Sequence, residues 1–128
     1  MFTQIKKYSF FKIEQQLDII CVTFNKNLKV DFQIANQLVI DRLDFAKNRK
    51  YYYIIDISNI KHVTTEAKKY MQNEEKPLQN ILGAAFIASN PVSALLANIF
   101  IKTQTNFPSK FFVKMTDALN WIIELKKH

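Results

Sequence analysis

Two short apolar runs constrain this chain most: YYYIIDI, residues 51–57, and ILGAAFIA, residues 81–88. Neither alternates apolar with polar residues, as a strand wet on one face would. A continuous run of this length, rich in β-branched, aromatic or small residues, fits a strand covered on both sides, the usual state of strands in a parallel sheet. The segments around these runs have helical spacing. In VDFQIANQLVIDRLDFAKN, Phe32, Ala35, Val39, Leu43 and Ala46 fall three or four apart, with Leu38 and Phe45 widening the stripe. Asp31 can cap the start of that helix, and Lys47, Asn48, Arg49 and Lys50 put positive charge at its end. SNPVSALLANIF carries the clearest start signal in the chain, with Asn90 as N-cap and Pro91 in the first turn.

The remaining segments extend the pattern. YSFFKIE and DIICVTF, separated by Gln15 and Gln16, read as an antiparallel hairpin. The helix carrying Ala67, Tyr70 and Met71 should close around Glu74, Glu75, Lys76 and Pro77, because the residue before a proline leaves the helical region. KFFV reads as a short strand, and Thr116 as the cap of a last helix through Leu119, Ile122 and Ile123, ending in Lys126, Lys127 and His128. The expected order is β-β-α-β-α-β-α-β-α, a mostly parallel central sheet with helices packed on it and an antiparallel edge. At 128 residues the chain reads as a single domain, 1–128.

Composition removes several function classes. With one glycine, a phosphate-binding loop or a dinucleotide fingerprint is out of reach, since both need several. His62 and His128 stand apart, without metal-ligand spacing to Cys21 or to a carboxylate. Cys21, the one cysteine, sits among Ile19, Ile20, Val22 and Phe24 and reads as a small core residue. Asp41 and Asp44 resemble a carboxylate pair, but they lie opposite much of the apolar stripe and read as solvated. No catalytic residue, metal or cofactor is expected. The net charge of +7 comes from lysines scattered over different elements, with only Arg42 and Arg49 as arginines. That pattern favours solubility over nucleic-acid binding. No signal peptide and no apolar run long enough for membrane insertion is read, so the expected setting is cytoplasmic.

The stretch from Asp56 to Trp121 carries a resemblance. The pieces are DISNI, VTTEAKKYM, GAAFIASNPVS, ANIFIKTQTNFPSKFF and TDALNWI. Together this half of the chain resembles an uncharacterised bacterial family of the STAS-like (SpoIIAA-like, anti-sigma-factor-antagonist) fold. The resemblance implies an α/β binding module that acts without catalysis. It also implies a regulatory protein partner, a kinase among the candidates. In the sigma-factor regulators a hydroxyl residue at the start of the helix after the central strand is phosphorylated. The matching position here is Thr65, with Thr64 as the alternative. Those regulators usually show an Asp-Ser-Ser-Gly-like elbow, whereas this chain has Thr64, Thr65, Glu66 and Ala67. The competing reading is an ordinary N-cap, with Glu66 favouring the first turn.

Two functional expectations follow. The first is a partner surface formed by Ile60, Lys61, His62 and Glu66 together with Ser89, Asn90 and Ser93, since both loops leave central strands at one sheet edge. The second is a small apolar ligand or lipid held between sheet and helices, suggested by Gly83, Ala84, Ala85 and Ala88 and by aromatics at Phe10, Phe11, Phe111 and Phe112. A large apolar cavity would favour the second reading. An edge strand near the N-terminus offers a route to a homodimer.

Overall fold

The computed structural model describes residues 2–14, 16–73, 76–104 and 106–127. Among the described residues eight strands and four helices run in the order β1 (Phe2–Ile5), β2 (Ser9–Glu14), β3 (Ile19–Phe24), β4 (Leu28–Val30), α1 (Phe32–Ala46), β5 (Tyr51–Asp56), β6 (Ile60–Val63), α2 (Thr65–Met71), β7 (Ile81–Ile87), α3 (Pro91–Thr103), β8 (Ser109–Phe112) and α4 (Met115–Lys126). Six strands form the main sheet, ordered β1-β2-β3-β5-β7-β8. β1, β2 and β3 pair antiparallel, and β3, β5, β7 and β8 pair parallel. The expected α/β architecture is thus present, with a hairpin supplying the antiparallel side.

The strand order dictates where the helices go. From β3 to β8 each crossover moves to the next position in the same direction. Right-handed connections therefore place α1, α2 and α3 on one face of the sheet. The larger core lies there, with Phe11, Ile20, Val22, Tyr53, Ala84 and Phe86 of the sheet against Leu38, Phe45, Ala67 and Ala97 of the helices. α4 follows the last strand and takes the other face, where Ala118 and Ile122 meet Ile19, Ile54, Ala85 and Ile87. Tyr53 and Ile54 are neighbours on β5 and are both essentially unexposed, which is why the central run could not alternate. Gly83 serves close approach: a Cβ there would sit 2.8 Å from Leu125 Cδ2 and 3.0 Å from the Tyr52 ring.

Three strands were absent from the sequence reading. β1 extends the hairpin into an exposed edge, with Ile5 84% exposed. β4 and β6 pair parallel with each other as a separate two-stranded ribbon. At three and four residues they are too short to display a period.

Other local expectations change. α2 ends at Met71 with Gln72 as its C-cap, before Pro77 is reached; Glu74 and Glu75 lie outside the described residues, as do Gln15 and His128. Thr116 does not cap α4: the N-cap position is Lys114 and makes no side-chain cap. Asp41 is buried at 6% exposure, unlike Asp44, and its Oδ1 accepts Gln37 Nε2 at 2.8 Å. Asp31 and Asn90 do cap α1 and α3, accepting from the N–H groups of Ile34 and Ser93.

Candidate functional site

The elbow between β6 and α2 is built by hydrogen bonds on both sides. The N–H of Thr64 donates to the Val30 carbonyl, which carries the β4–β6 ribbon into the helix. Thr64 Oγ1 then accepts the N–H of Ala67 at 3.1 Å. Thr64 is therefore the N-cap, and its hydroxyl is committed to that work. Thr65 is the first helical residue and is exposed. It borders a shallow crevice with Asp31, Gln33 and Glu66, so a phosphate on Thr65 would sit among carboxylates.

The two loops expected to share an edge do meet. Ser58 joins them: its Oγ accepts the N–H of Ser89 at 3.0 Å, and its carbonyl accepts Asn90 Nδ2 at 2.8 Å. Lys61, His62, Glu66 and Ser89 are exposed and Asn90 is half-buried. Ile60 and Ser93 are corrections, at 8% and 0% exposure. Ile60 points into the core as its strand pairs with Leu28, and Ser93 Oγ is turned back onto the Asn90 carbonyl. The exposed apolar residues next to this edge are Val92 and Leu95 of α3, at 53% and 62%.

Beneath the elbow lies a feature that the sequence did not locate. A partly open cavity of about 160 Å³ separates the sheet from α1, α2 and α3. Its floor is Phe11, Val22, Phe24, Ile55 and Phe86 of the sheet. Its walls include Leu38 and Val39 of α1, Met71 of α2, and Leu96, Ala97, Ile99 and Phe100 of α3, with Val30, Ile60 and Val63 of the ribbon at one end. The lining is apolar except for Arg42, Lys68 and Gln72. Of the residues that suggested a ligand site in the sequence, only Phe11 lines it. Gly83, Ala84, Ala85 and Ala88 instead let helices approach the sheet, and Phe10, Phe111 and Phe112 lie elsewhere.

Arg42 is the unusual member of this lining. It is 7% exposed, although a guanidinium stays charged at any pH a protein meets. Nη1 donates to Tyr53 Oη at 3.1 Å, and Nη2 donates to the carbonyls of Pro77 at 3.2 Å and Gln79 at 2.9 Å. The guanidinium also lies 5.2 Å from the centre of the Tyr53 ring. Burial pushes the Tyr53 hydroxyl above its ordinary pKa, against the opposing pull of Arg42. At neutral pH it is therefore a phenol and supplies no negative charge. Helical spacing puts position 42 inside the apolar stripe, four residues after Leu38, three after Val39 and four before Ala46, so its burial follows from the period while its hydrogen-bond partners do not.

On the other face, Cys21 is half-buried, and burial raises its thiol pKa. It is a packing residue with a suppressed thiolate. Among the described residues no three His, Cys, Asp or Glu side chains come together as a metal site. No described helix is long and apolar enough to cross a membrane.

Comparison with known proteins gives a family and a fold. The sequence profile of DUF7793, a domain of unknown function, matches residues 11–126. No curated protein matches the chain. Among solved structures, an uncharacterised protein of the DUF3478 family from Shewanella loihica PV-4, described as having a SpoIIAA-like fold, superposes with a TM-score of 0.58 at 18% sequence identity. The match covers 94% of this chain and 98% of that one, and it shows a SpoIIAA-like fold here.

Proposed function

We propose that this chain, which belongs to the DUF7793 family of domains of unknown function and has a SpoIIAA-like fold, is a non-enzymatic domain that binds a small apolar ligand. The observation that carries this reading is the cavity under α1, α2 and α3. Protein interiors pack at crystal-like density, and voids larger than a water molecule are few. A volume of about 160 Å³ is close to the ~150 Å³ apolar cavity that stays dry and admits benzene. Because the cavity is partly open, an apolar occupant gains by taking its lining and itself out of water, at about 25 cal/mol per Å² of apolar surface covered.

The test uses 1-aminonaphthalene, a neutral two-ring probe close to octanoate in size, whose emission brightens when it leaves water. Saturable enhancement with the purified full chain is expected. Val63→Phe, which fills the cavity from a lining residue that keeps exposed surface, should abolish it while the circular dichroism spectrum and melting transition are retained. No enhancement with the native chain would sink the reading.

A second reading has its own support. Lys61, His62, Thr65, Glu66 and Ser89 are exposed at one edge beside Val92 and Leu95, the composition of a contact surface for a regulatory protein partner. Thr65, not Thr64, would then be the hydroxyl within reach of a kinase. The readings share one element: Ile60 and Val63 of β6 and Lys68 and Met71 of α2 line the cavity, while the elbow between them faces solvent. Occupancy inside would thus be felt at the surface outside.

A further inference from the structure

We propose that the occupant of this cavity is a small amphiphilic carboxylate, its head group on the Arg42 guanidinium and its tail on Phe11, Leu38, Ile55 and Phe86. This deepens the ligand-binding reading and rests on it. The argument begins with charge. A buried cation is stable only when paired or fully hydrogen-bonded. Arg42 makes three hydrogen bonds, all to neutral oxygens. A guanidinium has five N–H donors, so two, on Nε and Nη1, have no acceptor among the described residues, and Nε keeps access to solvent, since Ser9 Oγ is the fully buried side-chain polar atom without a partner there. The ion pairs of the described residues are Lys6–Asp44, Lys12–Glu14 and Lys127–Glu124. None includes Arg42. Asp41, its neighbour in sequence, is turned to Gln37, and Tyr53 is held as a neutral phenol.

The site thus has a fixed positive charge, spare donors and an apolar chamber in one place. With both N–H groups of Nη2 donating to Pro77 and Gln79, no parallel fork is open, and a carboxylate would take a single charge-assisted bond from Nε or Nη1. A neutral apolar ligand would leave the charge as it stands. A phosphate monoester would bring close to two negative charges, where Arg42 is the only cation buried in the lining and Lys68 lies half-exposed at the rim. Size sets the tail. A chamber near the volume that admits benzene holds a chain of about six to eight carbons or a phenyl ring, well short of a membrane fatty acid. The chain's charge of +7 favours collection of anions from solution.

The experiment compares octanoate with 1-octanol by displacement of 1-aminonaphthalene from the native full chain at pH 7.5. Octanoate is expected to bind at least about tenfold more tightly, the scale of a charge-assisted bond over a neutral one. Arg42→Met should reduce octanoate to the affinity of octanol and leave octanol unchanged, whereas Lys68→Met should retain most of the preference for the acid. Because Arg42→Met removes three hydrogen bonds and could unfold the chain, the native protein supplies a second readout. The carboxyl carbon of [1-13C]octanoate, followed by NMR, should titrate at lower pH when bound than when free. Equal binding of acid and alcohol, or an unshifted titration, overturns the carboxylate and leaves the cavity reading standing. A preference lost in Lys68→Met but kept in Arg42→Met overturns the assignment to Arg42. Displacement of the bound probe by neither compound overturns the carboxylate alone, whereas failure of the probe itself to bind overturns both readings together.

Discussion

At the scale of single residues, the chain tolerates local costs that point in different directions. Arg42 buries a charge against neutral acceptors beside a chamber, where a ligand could complete it. Ser9 buries a hydroxyl with no such prospect: it is 2% exposed, and its Oγ has no partner among the described residues. Ser9 and Phe24 are paired across β2 and β3, so the hydroxyl faces the larger core. An unsatisfied buried polar group costs about 1–3 kcal/mol, and removing it without leaving a hole is neutral or favourable. Ser9→Ala is therefore expected to raise stability, by up to about 1 kcal/mol, in urea denaturation. A loss of more than 1 kcal/mol would mean that the hydroxyl has an acceptor. Turn residues follow a related logic. The only glycine is spent at Gly83 inside a strand, so left-handed backbone falls to Asp18, Asn27, Lys47, Asn48 and Asn80. Four of these are the Asx residues that tolerate it best.

At the scale of elements, α4 lies over the strands that Gly83 brings it close to. Leu125 and the Tyr52 ring occupy the space a side chain would take, and Lys126 Nζ reaches across to the Leu17 carbonyl. Gly83→Ala asks both neighbours to shift; Leu125 Cδ2 is a flexible end, but the Tyr52 ring is wedged on a central strand. Overpacking of this kind costs typically about 1–3 kcal/mol, and that loss is expected in the same denaturation assay. An unchanged midpoint would show that Leu125 alone absorbs the methyl. This element was legible in the sequence, as were β5, β7, α1 and α3, because long periodic or continuously apolar runs leave few alternatives. β4 and β6 were not, since their pairing is tertiary and their length hides any alternation. The site divides in the same way. Thr64, Asn90 and the meeting of two loops at one edge could be read from local signals. Arg42 was legible only in part: helical spacing places it inside the apolar stripe, but its acceptors, the carbonyls of Pro77 and Gln79, lie more than thirty residues away.

At the scale of the whole molecule, the order of the strands explains why the cavity lies where it does. Open α/β sheets usually bind ligands where strand order reverses and helices diverge to opposite faces. Here β3, β5, β7 and β8 run without reversal, so α1, α2 and α3 share one face and no such crevice forms at the strand ends. The space opens instead between sheet and helices, where a layer of three helices must span a twisted sheet. A void of this kind also sets the response to pressure, because unfolding eliminates it and the volume change scales with it. Octanoate is expected to raise the pressure midpoint of unfolding, read from the fluorescence of Trp121, the only tryptophan. Equal midpoints with and without it, at saturating probe displacement, would indicate that water already fills the space. The unreversed order has one more consequence. Every neighbour in the main sheet is the next main-sheet strand along the chain, so no strand waits for one made later, while the parallel pairs, such as Ile19 with Tyr52 and Tyr51 with Ile81, each span a whole crossover, the non-local pairing that slows folding. A ribosome adding about 5–20 residues per second therefore delivers each strand to an edge that has just been made, and α4, emerging last, closes the face that has been waiting for it.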